Sequence, residues 1–207
     1  GSKRQTGHTL ADADDLIFRA PRFRQDLCEL LQLRIKALTP ASGIRFQDLT
    51  GPLELHASYS RDQILLALGK GSFEQPHQLR EGVIHIPERR TDAFFVTIQK
   101  AESDFSPSTM YEDYAVTERL FHWQSQSTTS TDSPTGQRYI RHREQQYTPL
   151  LFLRHCKKQE DKLTAPYVYC GPLTLVRAEG DRPMSIILRL EHQMPANILR
   201  FSRQAIA

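Results

Sequence analysis

Residues 167–190 read YVYCGPLTLVRAEGDRPMSIILRL. Tyr167–Tyr169 and Leu173–Ala178 are rich in aromatic and β-branched residues, so both predict strands, set on either side of Gly171-Pro172. Glu179-Gly180-Asp181-Arg182 has the short polar residues and glycine of a tight turn, and Met184–Leu190 returns as a strand. The segments just upstream continue the pattern: 138–143 and 149–155 predict two strands joined at 145–148, and 157–164 a charged turn. Pro195 opens a final short helix ending near Arg203. Many antiparallel strands with few helices predict an α+β fold: a curved antiparallel sheet or partly open β-barrel with peripheral helices.

Towards the N-terminus, AFFVTIQ (Ala93–Gln99) is β-branched and aromatic throughout and predicts a buried central strand. Val83–Ile86 predicts a second strand, with Glu88–Asp92 at the tip of the hairpin between them. Ser60 and Gln63 form a capping box for a helix over Arg61–Leu68, which Gly69 stops. Leu53, Leu55 and Ala57 alternate with polar residues and predict a short strand. Phe23, Leu27, Leu30, Leu31 and Ile35 recur at helical spacing from Pro21 to Ala37, and Pro40 and Gly43 end the pattern. The expected organisation is a tag scar and flexible lead over 1–20, a helical extension or connector over 21–50, and the sheet domain over 51–207.

The chain has 207 residues, and its apolar and charged content fit a globular protein. A net charge of +3 does not imply nucleic-acid binding by its sum, so clustering has to carry that inference. Cys28, Cys156 and Cys170 are too far apart for a zinc knuckle and odd in number, which predicts a reducing, cytoplasmic compartment. No apolar run reaches membrane-spanning length, so no membrane partner is expected. There is no phosphate loop, dinucleotide fingerprint or nucleophile elbow, and the eight histidines are scattered without a metal-binding spacing. His155, Lys157 and Asp161 match an HxK nuclease signature only in outline. The expectation is a chain without a catalytic centre or cofactor of its own.

Chemistry concentrates between Asp104 and Tyr139: DFSPSTMYEDYAVTERLFHWQSQSTTSTDSPTGQRY. The stretch holds the only tryptophan, an acidic first half, and hydroxyl residues from Ser125 to Ser133, and a basic segment follows it. It predicts a short helix over 109–114, a strand-like 120–124 and a long loop over 125–136. Aromatics, carboxylates and short polar side chains beside cations suit a flat polar ring and a phosphate backbone. A long surface loop fixed to the core by its aromatics is the other reading open at this point.

This stretch, together with GPLTLVRAEGDRPMSIILRLEHQMPANILR, resembles the domain at the C-terminus of DEAD/DEAH-box helicases in bacterial defence systems, over roughly Leu53 to Arg200. Its best-known setting is the SauUSI-type modification-dependent restriction enzymes, which also carry a nuclease and a helicase motor. The resemblance implies an SRA-like fold within the PUA-like group, with a B3-like barrel as the alternative. It implies a target-recognition role on double-stranded DNA containing 5-methyl- or 5-hydroxymethylcytosine. ATP and a divalent metal would serve the nuclease and helicase domains of the parent chain, and no cofactor would serve this domain.

Stringent reading of a modified cytosine is easiest when the base is flipped into a pocket. Trp123, Phe121, Tyr111 and Tyr114 are the stacking candidates, and Asp104 or Asp113 would accept from cytosine N4. His122, Gln124, Ser125, Gln126 and Thr128 complete the expected base pocket. Arg89, Arg90, Arg138, Arg141, Arg143, Lys157 and Lys158 are expected on the DNA backbone, Arg141 and Arg143 from one strand face. The rival class is a helicase-associated protein-interaction or non-specific DNA-binding module, and a hydrolase using His122 or His155 ranks last.

Overall fold

The computed structural model describes residues 18–37, 44–72, 74–75, 77, 82–99, 113–158 and 163–204. Asp104, Tyr111 and most of the helix expected over 109–114 lie outside these. In chain order the elements are α1 (Pro21–Ala37), α2 (Gln47–Thr50), β1 (Ser58–Tyr59), α3 (Arg61–Ala67), β2 (Val83–Ile86), β3 (Thr91–Thr97), β4 (Tyr114–Ala115), β5 (Leu120–Gln124), α4 (Pro134–Ile140), β6 (Thr148–Arg154), β7 (Tyr167–Glu179), β8 (Ser185–Leu190) and α5 (Ala196–Gln204). The chain divides into two units, Gly1–Ala41 with α1 and Ser42–Ala207 with the sheet. On α1, Phe23, Leu30 and Leu31 are exposed. Among the described residues no helix is long and apolar enough to cross a membrane.

β3 and β6 form the centre of the second unit. Every residue of β3 is buried, as is the interior of β6, because both sheet faces are covered there. Phe94, Val96, Leu151 and Leu153 face one apolar cluster with Phe121, Trp123, Tyr139, Ile186 and Leu188. Ala93, Phe95, Leu150 and Phe152 face a second cluster, closed by Leu53, by Ile64 and Leu65 of the capped helix, and by Leu68 just after it. The apolar run of AFFVTIQ is the sequence of a strand that must be apolar on both sides.

The sheet is open, in the order β2-β3-β6-β7-β8-β5-β4, with β1 added on β7. The fold is therefore α+β, a curved sheet with peripheral helices. The expected interruption at Gly171-Pro172 is instead a change of partner within one long strand. β7 pairs β6 up to Pro172 and β8 from Leu173 onward. Gly171 has φ 94°, and a Cβ there would meet Leu55 Cδ1 at 2.8 Å, so this bend requires glycine.

Four local expectations are corrected. β3 and β6 pair in parallel, so the sheet is not uniformly antiparallel. Asp92 lies within β3, opposite His85, because the turn is made earlier, by Pro87–Arg89 and a left-handed Arg90. The alternation at 53–57 gives only an isolated bridge at Glu54, and the paired strand is Ser58–Tyr59. The strand expected over 138–143 is helix α4 followed by turns. Ser133 caps that helix by accepting from Gly136 N–H at 3.1 Å, and Pro134 takes its first turn, where no N–H is needed.

Candidate functional site

A cavity of about 470 Å³ opens between the β2–β3 edge, α4 and the loop over 125–133. Val83 and Tyr139 give it apolar surface, and His85 and Arg138 a charged wall. Gln126, Thr128, Thr129, Ser133 and Thr135 supply a wall of amide and hydroxyl groups.

The charged wall follows from the register. His85 and Asp92 are direct partners across β2 and β3, and His85 Nδ1 lies 2.9 Å from Asp92 Oδ1. The Asp92 side chain is 2% exposed. Arg138, in the last turn of α4, donates its Nε–H to both oxygens of Asp92, at 3.1 and 2.8 Å. A buried carboxylate needs such partners, and Arg138 gains a fixed orientation in return. The Tyr139 ring lies 5.6 Å from the guanidinium, and Tyr147 packs on His85 at 5.2 Å.

The hydroxyl-rich run is a folded wall. Ser125 is fully buried: its N–H donates to Met184 O at 3.0 Å, and its Oγ accepts from Met184 N–H at 2.9 Å. Thr131 N–H donates to Asp181 Oδ1 at 2.7 Å, and the Gln137 side chain donates to Thr131 O at 2.7 Å. The first turn of α4 then presses on the Ser130 carbonyl so closely that a Cβ at Gly136 would collide with it. Thr129 donates its hydroxyl to Gln126 Oε1 at 3.1 Å, which turns the amide nitrogen of Gln126 outward from that bond.

His142 fixes the turn behind the cavity. Its Nε2 accepts from Leu175 N–H at 2.9 Å, so its Nδ1 carries the proton and donates to Tyr147 O at 3.0 Å. Leu175 borders the register shift between β7 and β8, where the imidazole takes the N–H. Burial pushes the His142 pKa down, against the raising effect of the Tyr147 carbonyl.

Several expected pocket residues lie elsewhere. Phe121 and Trp123 share one face of β5 and are in the core, Trp123 edge-on to Phe94 at 4.7 Å and to Tyr139 at 5.4 Å. The indole is 5% exposed and lies behind the Tyr139 that lines the cavity. The expectation that Trp123 and Phe121 offer open stacking faces is corrected, because alternation along β5 turns both inward. His122 is on the opposite face, stacked on Tyr114 at 4.6 Å and hydrogen-bonded to Ser185 Oγ at 2.7 Å. Asp113 accepts from Gln124 N–H at 3.0 Å, which ties the chain before β4 to β5. Of the expected base-pocket residues, Gln126 and Thr128 line the cavity.

The arginines divide by geometry. Arg90 donates Nη1 to Gln146 Oε1 at 2.8 Å and accepts from Thr148 N–H at 2.9 Å. The tip between β2 and β3 therefore sits beside the turns carrying Arg141 and Arg143, and all three arginines are exposed. Arg141 and Arg143 share no strand face, since neither is in a strand. Arg89 turns away, donating to Leu49 O at 3.3 Å. Lys157 and Lys158 follow the far end of β6, ~20 Å along the strand from the Arg141 turn.

His85, Tyr139, Ser133 and Thr135 line the cavity, Asp92 holds Arg138 and His85 from behind its wall, and none of the five was anticipated. The available signal was a carboxylate at the head of an otherwise apolar strand, which demands a buried cation. A family model described as Domain of unknown function (DUF3427) matches residues 53–201. No curated protein matches the chain.

Proposed function

The chain belongs to the DUF3427 family, and on that premise we propose that its sheet unit is a non-catalytic reader of duplex DNA carrying 5-methyl- or 5-hydroxymethylcytosine. It takes the extruded base into the cavity between β2–β3, α4 and the 125–133 loop, and it directs nuclease and helicase domains carried elsewhere on the parent chain. One observation carries the reading: a polar cavity of about 470 Å³, within the ~300–1,000 Å³ typical of small-ligand sites, has Arg138 in its wall, and three exposed arginines sit on the β2–β3 tip and the turns after α4, the segments that continue from two of its walls.

Those are the two parts that base extrusion needs. Arg90, Arg141 and Arg143 come from segments distant in sequence and supply phosphate contacts, while the cavity receives the ring. Tyr139 and Val83 belong to the same buried cluster as Trp123 but reach the cavity lining, so they offer an aromatic edge and an apolar contact for a C5 substituent, not an open stacking face. Burial of one methyl contributes only about 0.8 kcal/mol, a few-fold in affinity, so polar contacts to the base must supply the rest.

The test is an anisotropy titration with matched duplexes differing only at one cytosine, which is unmodified, 5-methylated or 5-hydroxymethylated. Tighter binding of a modified duplex is expected. Equal affinity for all three would sink the reading and favour a non-specific module.

A further inference from the structure

Methylation at C5 does not by itself identify a cytosine, because thymine carries the same methyl at the same position. Base identity has to be read at the Watson–Crick edge, where cytosine offers O2 and N3 as acceptors and thymine has a proton on N3. We infer that Arg138 reads this edge and does not grip a phosphate, an assignment that rests on the base-binding role proposed above.

Its geometry is that of a fixed reader. The Nε edge is committed to Asp92 at 3.1 and 2.8 Å, the Asp92 side chain is 2% exposed, and Tyr139 packs 5.6 Å away. No hydrogen bond among the described residues occupies either Nη group, and Arg138 lines the cavity. The remaining donors are therefore held in place before a ligand arrives, so little side-chain entropy is lost on binding. The paired carboxylate also offsets the cation, which weakens the attraction for a phosphate. It leaves intact the N–H donors of both Nη groups for a neutral acceptor pair. Gln126 adds to the donor character, since its Oε1 is taken by Thr129 at 3.1 Å. Arg141 is the contrast: its side chain is 59% exposed, and among the described residues its ion-pair partner is Glu144 at 4.0 Å, which suits a mobile backbone contact.

The experiment compares a 5-methylcytosine·guanine pair with a thymine·guanine mismatch in one duplex, over a series of salt concentrations. The wild type is expected to favour 5-methylcytosine by about tenfold or more. Arg138→Met and Arg138→Lys are expected to bring that ratio to within about twofold with little change in salt slope. Arg141→Ala should keep the ratio and reduce the slope by about 0.9. Arg138→Lys keeps a cation against Asp92 and decides the matter if Arg138→Met fails to fold. A ratio retained in Arg138→Lys overturns the inference, most clearly if the slope falls by about 0.9 instead. A wild type that prefers modified over unmodified cytosine but does not discriminate against thymine overturns this inference alone. One with no preference for modified cytosine overturns the binding role as well.

Discussion

Arg138 donates its Nε–H to both carboxylate oxygens of Asp92, across 46 residues of sequence, at 3.1 and 2.8 Å. The bond joins α4 to the most buried strand of the sheet and sets one wall of the cavity. Asp92→Ala leaves a partly buried guanidinium without its partner, and the expected loss is about 3 kcal/mol in urea unfolding. An unchanged midpoint would show that the pair is dispensable.

Trp123→Ala removes an indole between Phe94 and Tyr139. The expected cost is about 3–5 kcal/mol of stability, because a large cavity opens in the core. Trp123→Phe should retain any preference for modified DNA, since the side chain supports Tyr139 from behind. Loss of that preference at unchanged stability would place the indole against the ligand after all.

Gly136 lets the first turn of α4 lie on the Ser130 carbonyl. Gly136→Ala drives a methyl into backbone that cannot rotate away, so the 125–133 wall has to move. A loss of about 1–3 kcal/mol is expected, with weakened DNA binding beyond what the stability loss accounts for. Thermal melts and binding isotherms of the same preparation check both.

Acid should loosen the region behind the cavity. His142 is held neutral between Tyr147 O and Leu175 N–H, and burial lowers its pKa, with Arg143 adding to the shift and Asp92 opposing it. The unfolded chain, with an ordinary value of about 6.5, binds the proton more readily, so stability rises with pH across the window below that value. The contribution is complete above about 6.5 and is lost as pH falls through the lowered folded value. His56 acts in the same sense, through burial and then His192. Tm should fall between about pH 7.5 and about pH 5, and His142→Gln should reduce that fall. An identical fall in the variant would remove His142 from the effect.

The sequence made legible those parts of the fold whose cause is local. The Ser60–Gln63 capping box, the turn at Gly180 and the doubly covered AFFVTIQ strand each follow from a few neighbouring side chains. The parallel pairing of β3 with β6 was not legible, because it is made across a long crossover. Helix α4 was hidden by Pro134 and Gly136, which signal a loop by composition. Here one starts the helix after Ser133 and the other permits its close approach to Ser130. Of the residues that line the cavity, the sequence had pointed to Gln126 and Thr128, and to Arg138 in another role. Trp123 was misplaced because composition does not distinguish a pocket wall from a core, although its alternation with Phe121 put both on one face. Asp92 was missed because its partner lies on a distant helix.

The central claim is that a modified base enters the cavity walled by Arg138. The most direct measurement is NMR of the domain bound to a duplex with a carbon-13 label on the methyl of the target 5-methylcytosine. The account predicts intermolecular NOEs from that methyl to the Tyr139 ring or the Val83 methyls, together with loss of its NOEs to the neighbouring stacked bases. A methyl that keeps its stacking NOEs in the complex, or that contacts only residues outside the cavity, would contradict it.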